Sequence, residues 1–447
     1  MTSRDISARH DARQNPVGAQ RSLAVYLMLE AMLSLFMATY GTMTAVYRVE
    51  AARLNPLQLT LVGTALEGSV FLFQLPTGAL ADTFSRRMSV IAGVFLTGAG
   101  FLLEGLFPLF GTILMASVLW GAGYCFISGA EEAWISDELG VVAANRLFLR
   151  ASQIGMVAEI VGVGASVALA SVRLNLPMLV AGGLTLALGL ALIPLMPESR
   201  RQPRVAPGAA STSLRARMAE VGRTARVGVA LARARPAVLL ILGVTLFQGM
   251  ASEGFDRLGQ AHFLLDTKLP PLGPLKPLAW FGAFSIMIIL LGLGATELSR
   301  RRVNTSSHQS VSRTLLWLVV ALALFMAVFG LARAFAVAVV AYIAANVIRR
   351  VVGPLSTAWI NQHAEDRTRA TVLSLEGQSD ALGQIAGGPV VGAIGLAVSL
   401  PAALLASAFA LLPALALYVR SGSVGADLAT ADASGPHTPP EKASPVE

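Results

Sequence analysis

The chain carries twelve apolar segments in succession, each about as long as a membrane-spanning helix. A helix that crosses a bilayer needs roughly 20 mostly apolar residues. Of the 447 residues, 55% are hydrophobic and 13% are charged, whereas soluble domains carry about 25% charged residues. This composition excludes a soluble enzyme or a disordered chain and predicts an all-α membrane protein with twelve transmembrane helices. The predicted spans are roughly 22–46, 57–80, 88–107, 112–135, 147–171, 176–196, 236–262, 278–298, 314–331, 335–360, 369–395 and 398–419.

The basic residues predict the orientation of these spans. With the N-terminus inside, 25 of the 34 lysines and arginines lie on the inner side and seven on the outer side. Cytoplasmic loops of membrane proteins collect Lys and Arg, so both termini are expected in the cytoplasm and the chain in the plasma membrane. The net charge of +8 is then a sign of topology and does not indicate a nucleic-acid partner. The richness in Arg, Ala and Gly favours a bacterial source.

The one long internal break between spans is basic and runs over 198–235. Leu214, Met218 and Val221 recur there at helical spacing, with arginines between them. Two interpretations fit, an amphipathic helix on the inner membrane surface and a disordered basic linker. The predicted organisation is therefore a cytoplasmic tail (1–21), a six-helix bundle (22–197), the linker (198–235), a second six-helix bundle (236–420) and a disordered cytoplasmic tail (421–447).

An internal repeat supports two related halves. The triplet Ala133 to Ile135 recurs as Ala358 to Ile360, an offset of 225 residues. At the same offset Gln153 matches Gln378, and Gly162 matches Gly387. Matching positions within each half are what gene duplication predicts, so the two bundles are expected to be pseudo-symmetric.

A motif lies in the short inner loop between the second and third predicted spans. The loop runs from Gly78 to Arg87 and reads GALADTFSRR. A glycine lets two helices approach closely, and paired arginines keep a loop in the cytoplasm. The motif residues are Gly78, Leu80, Asp82, Arg86 and Arg87. By itself, D-x-x-x-R-R also suits any short inner loop.

This loop resembles the signature of the major facilitator superfamily, and the resemblance extends over roughly residues 20–420. It implies two six-helix bundles that rock around a central site. It also implies that Asp82 and Arg86 hold the outward-facing state closed on the cytoplasmic side. The corresponding loop of the second half, 297–302, keeps an acid before a group of arginines but lacks the glycine and leucine frame.

A finer resemblance is to bacterial efflux proteins of the macrolide and tetracycline type. It is carried by the stretches 128–138, 253–257, 369–374 and 387–389. It implies proton-coupled export of an amphipathic, drug-like molecule by an antiporter that confers multidrug resistance. Two features depart from the pattern, because the fourth span has no arginine and Gly162 and Gly164 are not followed by a proline. The expected partners are a small-molecule substrate, protons and membrane lipid, with no cofactor, no nucleic acid and a monomeric state.

Acids inside the spans are candidate coupling residues, because a charge in the bilayer is costly. Glu253 and Asp256 are three residues apart and are expected to share a helix face, with Arg257 on another part of the surface. The alternative for each acid is a structural hydrogen bond between helices. The coupling candidates are Glu30, Glu159, Glu253, Asp256, Glu376, Asp380, Arg349 and Arg350, with Glu67 a further acid in the second span.

Two arginines near the middle of the tenth span, Arg349 and Arg350, need acidic partners there. Glu376 or Asp380 on the next span could provide one. An adjacent arginine stabilises a carboxylate, so an acid paired in this way is a poorer proton carrier than an isolated one. The preferred carriers are Glu30 or Glu159, followed by Glu253 and Asp256.

Near the inner end of the fourth span, Glu131 and Glu132 are expected to form an inner-gate network with Arg146 or Arg150. The five histidines lack metal-binding spacing, and the sequence contains no phosphate-binding loop and no hydrolase motif. A secondary transporter rather than an enzyme is therefore expected. The alternatives are transport of a specific metabolite or lipid in either direction, or a membrane-embedded sensor.

Overall fold

The computed structural model describes residues 16–83, 85–198, 236–272, 277–305, 307–363 and 369–420, and these ranges are almost entirely helical. After the helix Leu400–Phe409 the chain makes a two-residue turn and resumes as a helix over 412–420. The helices are α1 (Pro16–Glu50), α2 (Pro56–Thr83), α3 (Arg86–Leu106), α4 (Phe110–Ile127), α5 (Ala130–Leu139), α6 (Val141–Val172), α7 (Leu176–Leu195), α8 (Pro236–Leu265), α9 (Ala279–Arg302), α10 (His308–Leu331), α11 (Phe335–His363), α12 (Arg369–Ala397) and α13 (Leu400–Phe409).

Twelve stretches of the described ranges are long and apolar enough to cross a membrane, which confirms the predicted spans. The fourth stretch contains a break that the sequence analysis did not predict. It consists of α4 and α5, separated at Ser128 and Gly129. Gly129 has φ +74, a left-handed conformation that glycine adopts without the steric cost of a side chain. The helix direction can therefore change before the acidic segment that follows.

The helix surfaces carry large apolar side chains that a soluble protein would bury. Leu149 and Val172 on α6 are 73% and 72% exposed, and similar side chains project from most of the other spans. Contiguous apolar surface of this kind needs lipid around it.

The first turns of two helices are fixed by side-chain caps. Ser85 accepts a hydrogen bond from the Met88 amide at the start of α3, and Ser307 accepts one from the Ser310 amide at the start of α10.

Helix packing follows two groups. In the first six spans α1 packs on α6, and α3 packs on α4 and α7. In the last six spans α8 packs on α12, and α10 packs on α11 and α13. The main contact between the groups joins α2 to α12, and smaller contacts join α8 to α2 and to α1, and α6 to α9. The predicted linker helix and both predicted tails lie outside the described residues, apart from the tail positions 16–21, so the exact domain boundaries remain predictions.

The two groups meet closely at one end of the molecule, near the start of α2 and the end of α12. A Cβ added at Gly392 would lie 2.0 Å from Thr60 Oγ1, and one added at Gly282 would lie 2.5 Å from Val167 Cγ2. Small residues allow this approach. We call this the outer end, following the orientation that the basic residues predict, and the opposite end the inner end. The outer end is closed in this structure.

Candidate transport site

A cavity of about 380 Å³ lies among the helices of the last six spans. Its walls come from α8, α10, α11 and α12, together with Leu411 in the turn after α13. Binding sites for small molecules combine apolar walls with a few placed polar groups, and this cavity has both. The polar wall is Thr245, Gln248, Ser252, Asp256, Arg349, Ser356, Thr357, Glu376, Asp380 and Gln384, and the apolar wall includes Phe255, Leu322, Met326, Val352 and Leu411.

One wall of the cavity is formed by an ion pair between α11 and α8. Arg349 donates two hydrogen bonds to Asp256, with Nη1–Oδ1 and Nη2–Oδ2 distances of 2.5 and 2.7 Å. Its guanidinium also lies 5.8 Å from the centre of the Phe255 ring. Two parallel hydrogen bonds fix both the position and the plane of the guanidinium. The carboxyl group of Asp256 is therefore fixed in position on the cavity wall.

The second arginine of α11 faces a different neighbour. Arg350 Nη2 lies 3.7 Å from Glu159 Oε1 on α6, so this pair crosses between the two groups of helices. Neither Glu376 nor Asp380, the predicted partners, forms these ion pairs, although Arg349 still interacts electrostatically with Asp380. Consecutive residues of a helix point about 100° apart, so Arg349 and Arg350 reach different helices.

A second ion-paired cluster joins α8 to α2. Glu253 is fully buried, and its Oε1 accepts a hydrogen bond from Arg257 Nε at 3.1 Å. Arg257 Nη2 lies 3.9 Å from Glu67 Oε1 on α2. Residues four apart share a helix face, so the prediction that Arg257 would point elsewhere was wrong for Glu253. Glu253 and Asp256 face different helices, α2 and α11, and use different arginines.

A glycine makes room for this cluster on α2. A Cβ added at Gly63 would lie 1.7 Å from Glu253 Oε1 and 2.2 Å from Arg257 Nε. Any side chain at this position would displace both charged groups. The close approach of α8 to α2 therefore depends on glycine at this position, because its side chain is a single hydrogen atom.

Two further acids face the cavity from α12. Gln384 Nε2 donates a hydrogen bond to Asp380 Oδ2 at 2.8 Å. Glu376 lies one turn earlier on the same helix and also lines the cavity. Neither acid has an arginine within ion-pair distance among the described residues. With Asp256, the cavity has three carboxyl groups and one guanidinium, Arg349.

Three acids of the first six spans, Glu30, Glu131 and Glu132, form a separate group near the inner end. Glu30 on α1 is half-buried, bonds to the Tyr26 hydroxyl and faces α6 at Gly155. Glu131 Oε2 is buried and has no hydrogen-bond partner in the described ranges. Within those ranges no ion pair joins Glu131 or Glu132 to Arg146 or Arg150, contrary to the prediction. These two arginines point away from the helix packing and are exposed.

The loop motif holds α3 against its neighbours in the first six spans. Arg86 Nη1 donates hydrogen bonds to the Ala133 carbonyl at 2.5 Å and to Asp137 Oδ2 at 2.6 Å on α5. Arg87 donates one to the Ile193 carbonyl on α7. The side chain of Asp82 lies outside the described residues, so its predicted role as a latch stays a prediction.

The glycine of the motif was predicted to allow close helix packing. In this conformation a Cβ added at Gly78 would meet nothing within 4 Å, so that contact is absent here. The reason is local, because Gly78 is on an uncovered side of α2, whereas the adjacent Thr77 is buried and donates a hydrogen bond to the Cys125 carbonyl on α4. Leu80, two residues further along, is half-buried.

One buried ion pair was missed by the sequence analysis. Arg48 was assigned to an outer loop, but it lies within α1, and its Nε is 2.8 Å from Glu104 Oε1 on α3. Tyr40 donates a hydrogen bond to Glu104 Oε2 at 2.5 Å. Glu104 is fully buried. An acid in the otherwise uncharged third span was the available signal, since such a charge needs a partner.

Comparison with known proteins agrees with this architecture. The family described as Major Facilitator Superfamily matches residues 23–375. The chain is 23% identical over 402 residues to the "Uncharacterized MFS-type transporter YxaM" of Bacillus subtilis (strain 168). The aligned region covers 89% of this chain and 95% of that protein.

Solved transporter structures are similar in fold. A peptide transporter POT in complex with sulfate has a TM-score of 0.68 at 15% identity, covering 91% of this chain and 95% of its own. A bacterial homolog of the human lysosomal transporter Spinster, inward-facing and unoccupied, has a TM-score of 0.67 at 15% identity, with coverage of 92% and 98%. The nucleoside transporter NupG has a TM-score of 0.62 at 12% identity, with coverage of 89% and 98%. At these identities the likeness establishes the fold alone.

Proposed function

Because the chain belongs to the major facilitator superfamily and is a multi-pass membrane transporter, we propose that it exports cationic amphipathic small molecules in exchange for protons. The observation that carries the proposal is the cavity described above. It sets Phe255, Leu322 and Met326 beside an excess of carboxyl groups. Apolar walls bind the body of an amphipathic molecule, and unpaired carboxylates favour a positive charge.

The side from which the cavity is reached in this conformation follows from where the helix groups meet. The close contacts at Gly392 and Gly282 lie at the outer end, on the far side of the cavity from the inner loops. A substrate would enter this conformation from the cytoplasm. Export then requires the outer contacts between α2 and α12 to separate while the inner ends approach, which is alternating access.

The coupling residues follow from the ion pairs. Arg350 lies beside Glu159, and Arg257 and Arg349 hold Glu253 and Asp256. An acid stabilised by an adjacent arginine is the poorer proton carrier. Among the candidates, this leaves Glu30 in the first six spans, with Glu376 and Asp380 in the cavity. A cationic substrate and a proton would compete for the two cavity acids, which links the two fluxes.

The test uses purified protein in vesicles and a fluorescent, permanently charged organic cation such as ethidium. An imposed pH gradient should drive the dye across the membrane, and dissipating the gradient should stop it. Glu376→Gln and Asp380→Asn should each weaken dye binding and uptake by about tenfold or more, the loss expected for about 1.4 kcal/mol. Glu30→Gln should abolish gradient-driven uptake but leave dye exchange intact.

A matched control is Glu50→Gln, which removes an exposed acid at the outer end of α1. It should leave dye transport unchanged. If no organic cation moves under any gradient, or if neutral metabolites move and cations do not, the proposal fails. Uptake that is unaffected in both cavity variants would place the substrate elsewhere.

A further inference from the structure

One arginine of α8 faces two acids, one from each group of helices. Arg257 Nε donates a hydrogen bond to Glu253 Oε1 on its own helix at 3.1 Å. Its Nη2 lies 3.9 Å from Glu67 Oε1 on α2, in the other group. The first distance is that of a hydrogen bond, whereas the second is longer. Glu67 is therefore the more weakly held of the two acids.

The surrounding charges offer no second cation to this cluster. The other titratable groups near it are Tyr40 and Arg48 on α1, Cys125 on α4, Asp256 on α8 and Asp380 on α12, while Leu400–Phe409 of α13 contributes no charged residue. Arg48 is already bound by Glu104 on α3 through two hydrogen bonds. Asp256 already has Arg349 on α11 as its partner. Among the described residues near the cluster, this leaves Arg257 alone to neutralise two carboxyl groups.

Contact between the two groups of helices creates this arrangement. Glu253 is fully buried, and α2 covers it at Gly63, where an added Cβ would overlap its Oε1. Because α2 belongs to the first six spans and α8 to the last six, separation at the outer end would uncover Glu253 and Arg257. It would also carry Glu67 away from the arginine. Closure of the outer end therefore brings a second acid to an ion pair that is already neutral.

Two carboxylates are costly in this position. Glu253 Oε2 is buried and has no hydrogen-bond partner in the described ranges, so even the nearer acid is incompletely satisfied. A buried charge without a counter-ion is strongly destabilising, and one added proton removes it. Arg257 stabilises the carboxylate that it bonds, Glu253, so the proton belongs on Glu67.

The position of Glu67 along α2 decides which water it meets. From the outer end of α2, Thr60 lies against Gly392 and Thr64 lies against Gly388, so closely that a Cβ on either glycine would overlap the hydroxyl group. Glu67 follows Thr64 by about one turn, on the inner side of these contacts, and its side chain is 18% exposed. Water therefore reaches Glu67 from the inner side in this conformation, and from the outer side once the contacts separate.

We propose that Glu67 binds a proton when the outer end closes, because closure brings two carboxyl groups to the single cation of Arg257. In a proton-driven exporter this proton would enter from the outer side, return the protein to the outer-closed state and leave to the cytoplasm. That directional step rests on the proposed function, whereas proton uptake on closure does not.

The experiment measures the conformation and needs no substrate. Spin labels are attached at Val172→Cys on α6 and Leu331→Cys on α10, two exposed outer-end positions in different helix groups. The background is Cys125→Ala, which adds no hydrogen-bond donor near Glu67. The distance between the labels is recorded in lipid nanodiscs from about pH 5 to about pH 9, where buried carboxyl groups can titrate. The ratio of closed to open populations should fall as the pH rises, by at most about tenfold per pH unit for one proton.

Two variants remove the need for the proton from opposite sides of the contact. Glu67→Gln places a neutral amide of similar shape beside Arg257, so closure no longer requires a proton. Glu253→Gln leaves Arg257 one acid, and the carboxylate of Glu67 can then take the guanidinium. Both variants should stay closed across the pH range. The control Glu50→Gln removes an exposed acid at the outer end of α1 and should respond like the parent protein.

Each remaining outcome counts against the proposal. A parent protein with no pH response, or one that opens as the pH falls, overturns it. The parent response persisting in Glu67→Gln or in Glu253→Gln overturns it too, and so does a Glu67→Gln protein that stays open at every pH, because the acid would then have only a structural role. Loss of the response in Glu50→Gln would place the titrating group elsewhere. A failure of dye transport leaves these results unaffected, since the dye experiment tests the proposed function alone.

Discussion

Arg350 on α11 and Glu159 on α6 form an ion pair that crosses between the first six spans and the last six, with 3.7 Å between Nη2 and Oε1. Arg350 also packs over α9, where a Cβ added at Gly292 would lie 2.5 Å from its Cδ. The pair therefore sits where α6, α9 and α11 meet. Because the two helix groups move relative to each other during alternating access, this contact must change in each cycle.

Exchanging the charges of Glu159 and Arg350 should preserve the ion pair. Glu159→Arg or Arg350→Glu alone places like charges together and should slow transport strongly, whereas the double variant should recover most of it. The side chains are 37% and 44% exposed, so the stability change of each single variant should stay within about 1 kcal/mol. Dye flux and thermal unfolding in detergent measure the two effects. Failure of the double variant to recover would show that the pair has no role in the cycle.

The buried pair of Arg48 and Glu104 should matter for stability. Glu104→Gln leaves the Arg48 guanidinium buried without its counter-ion and should cost roughly 3–5 kcal/mol. Replacing both members, as Arg48→Met with Glu104→Leu, should recover most of that loss, because apolar side chains of similar volume can replace a buried ion pair. Thermal unfolding measures both. An unchanged melting temperature in Glu104→Gln would contradict the buried placement.

Alanine substitutions at two glycines of α2 should have opposite effects on stability. Gly63→Ala forces a methyl group into Glu253 and Arg257, so it should reduce transport and destabilise the outer-closed state. Gly68→Ala, one turn further along, meets nothing within 4 Å and should stabilise the helix by about 0.5–1 kcal/mol. Unfolding and dye flux on both variants give a matched comparison. Equal behaviour of the two would argue against the cluster between α8 and α2.

The motif glycine should matter only in the other conformation. A Cβ added at Gly78 has no neighbour within 4 Å in the present state, so Gly78→Val should leave the melting temperature nearly unchanged. If inner closure brings a helix against Gly78, as the superfamily resemblance implies, the variant should block closure and trap the outer-closed state. The distance between spin labels at Val172→Cys on α6 and Leu331→Cys on α10, two exposed positions at the outer end, reports this trapping. Full transport in Gly78→Val would remove the predicted role of the glycine.

The sequence predicted the number and positions of the spans because crossing a bilayer requires a certain apolar length, which can be read locally. It also identified most of the acids and arginines that lie in the membrane, but it missed Arg48 and Glu104. It did not predict their pairing, because this depends on how each helix is turned and on which helix lies beside it. Asp256, for example, pairs with a residue 93 positions away on α11. The break at Gly129 was missed for a related reason, since an apolar segment continues through it.

Asp256 and Arg257 are neighbours in the chain but are bound on different sides of α8, one towards α11 and the other towards α2. They cannot move independently, because both are attached to the same rigid turn of helix. A cation that draws Asp256 away from Arg349 also releases one of the two restraints on rotation of α8 about its axis. Occupancy of the cavity and separation of the helix groups would then share one degree of freedom, the angle of a single helix.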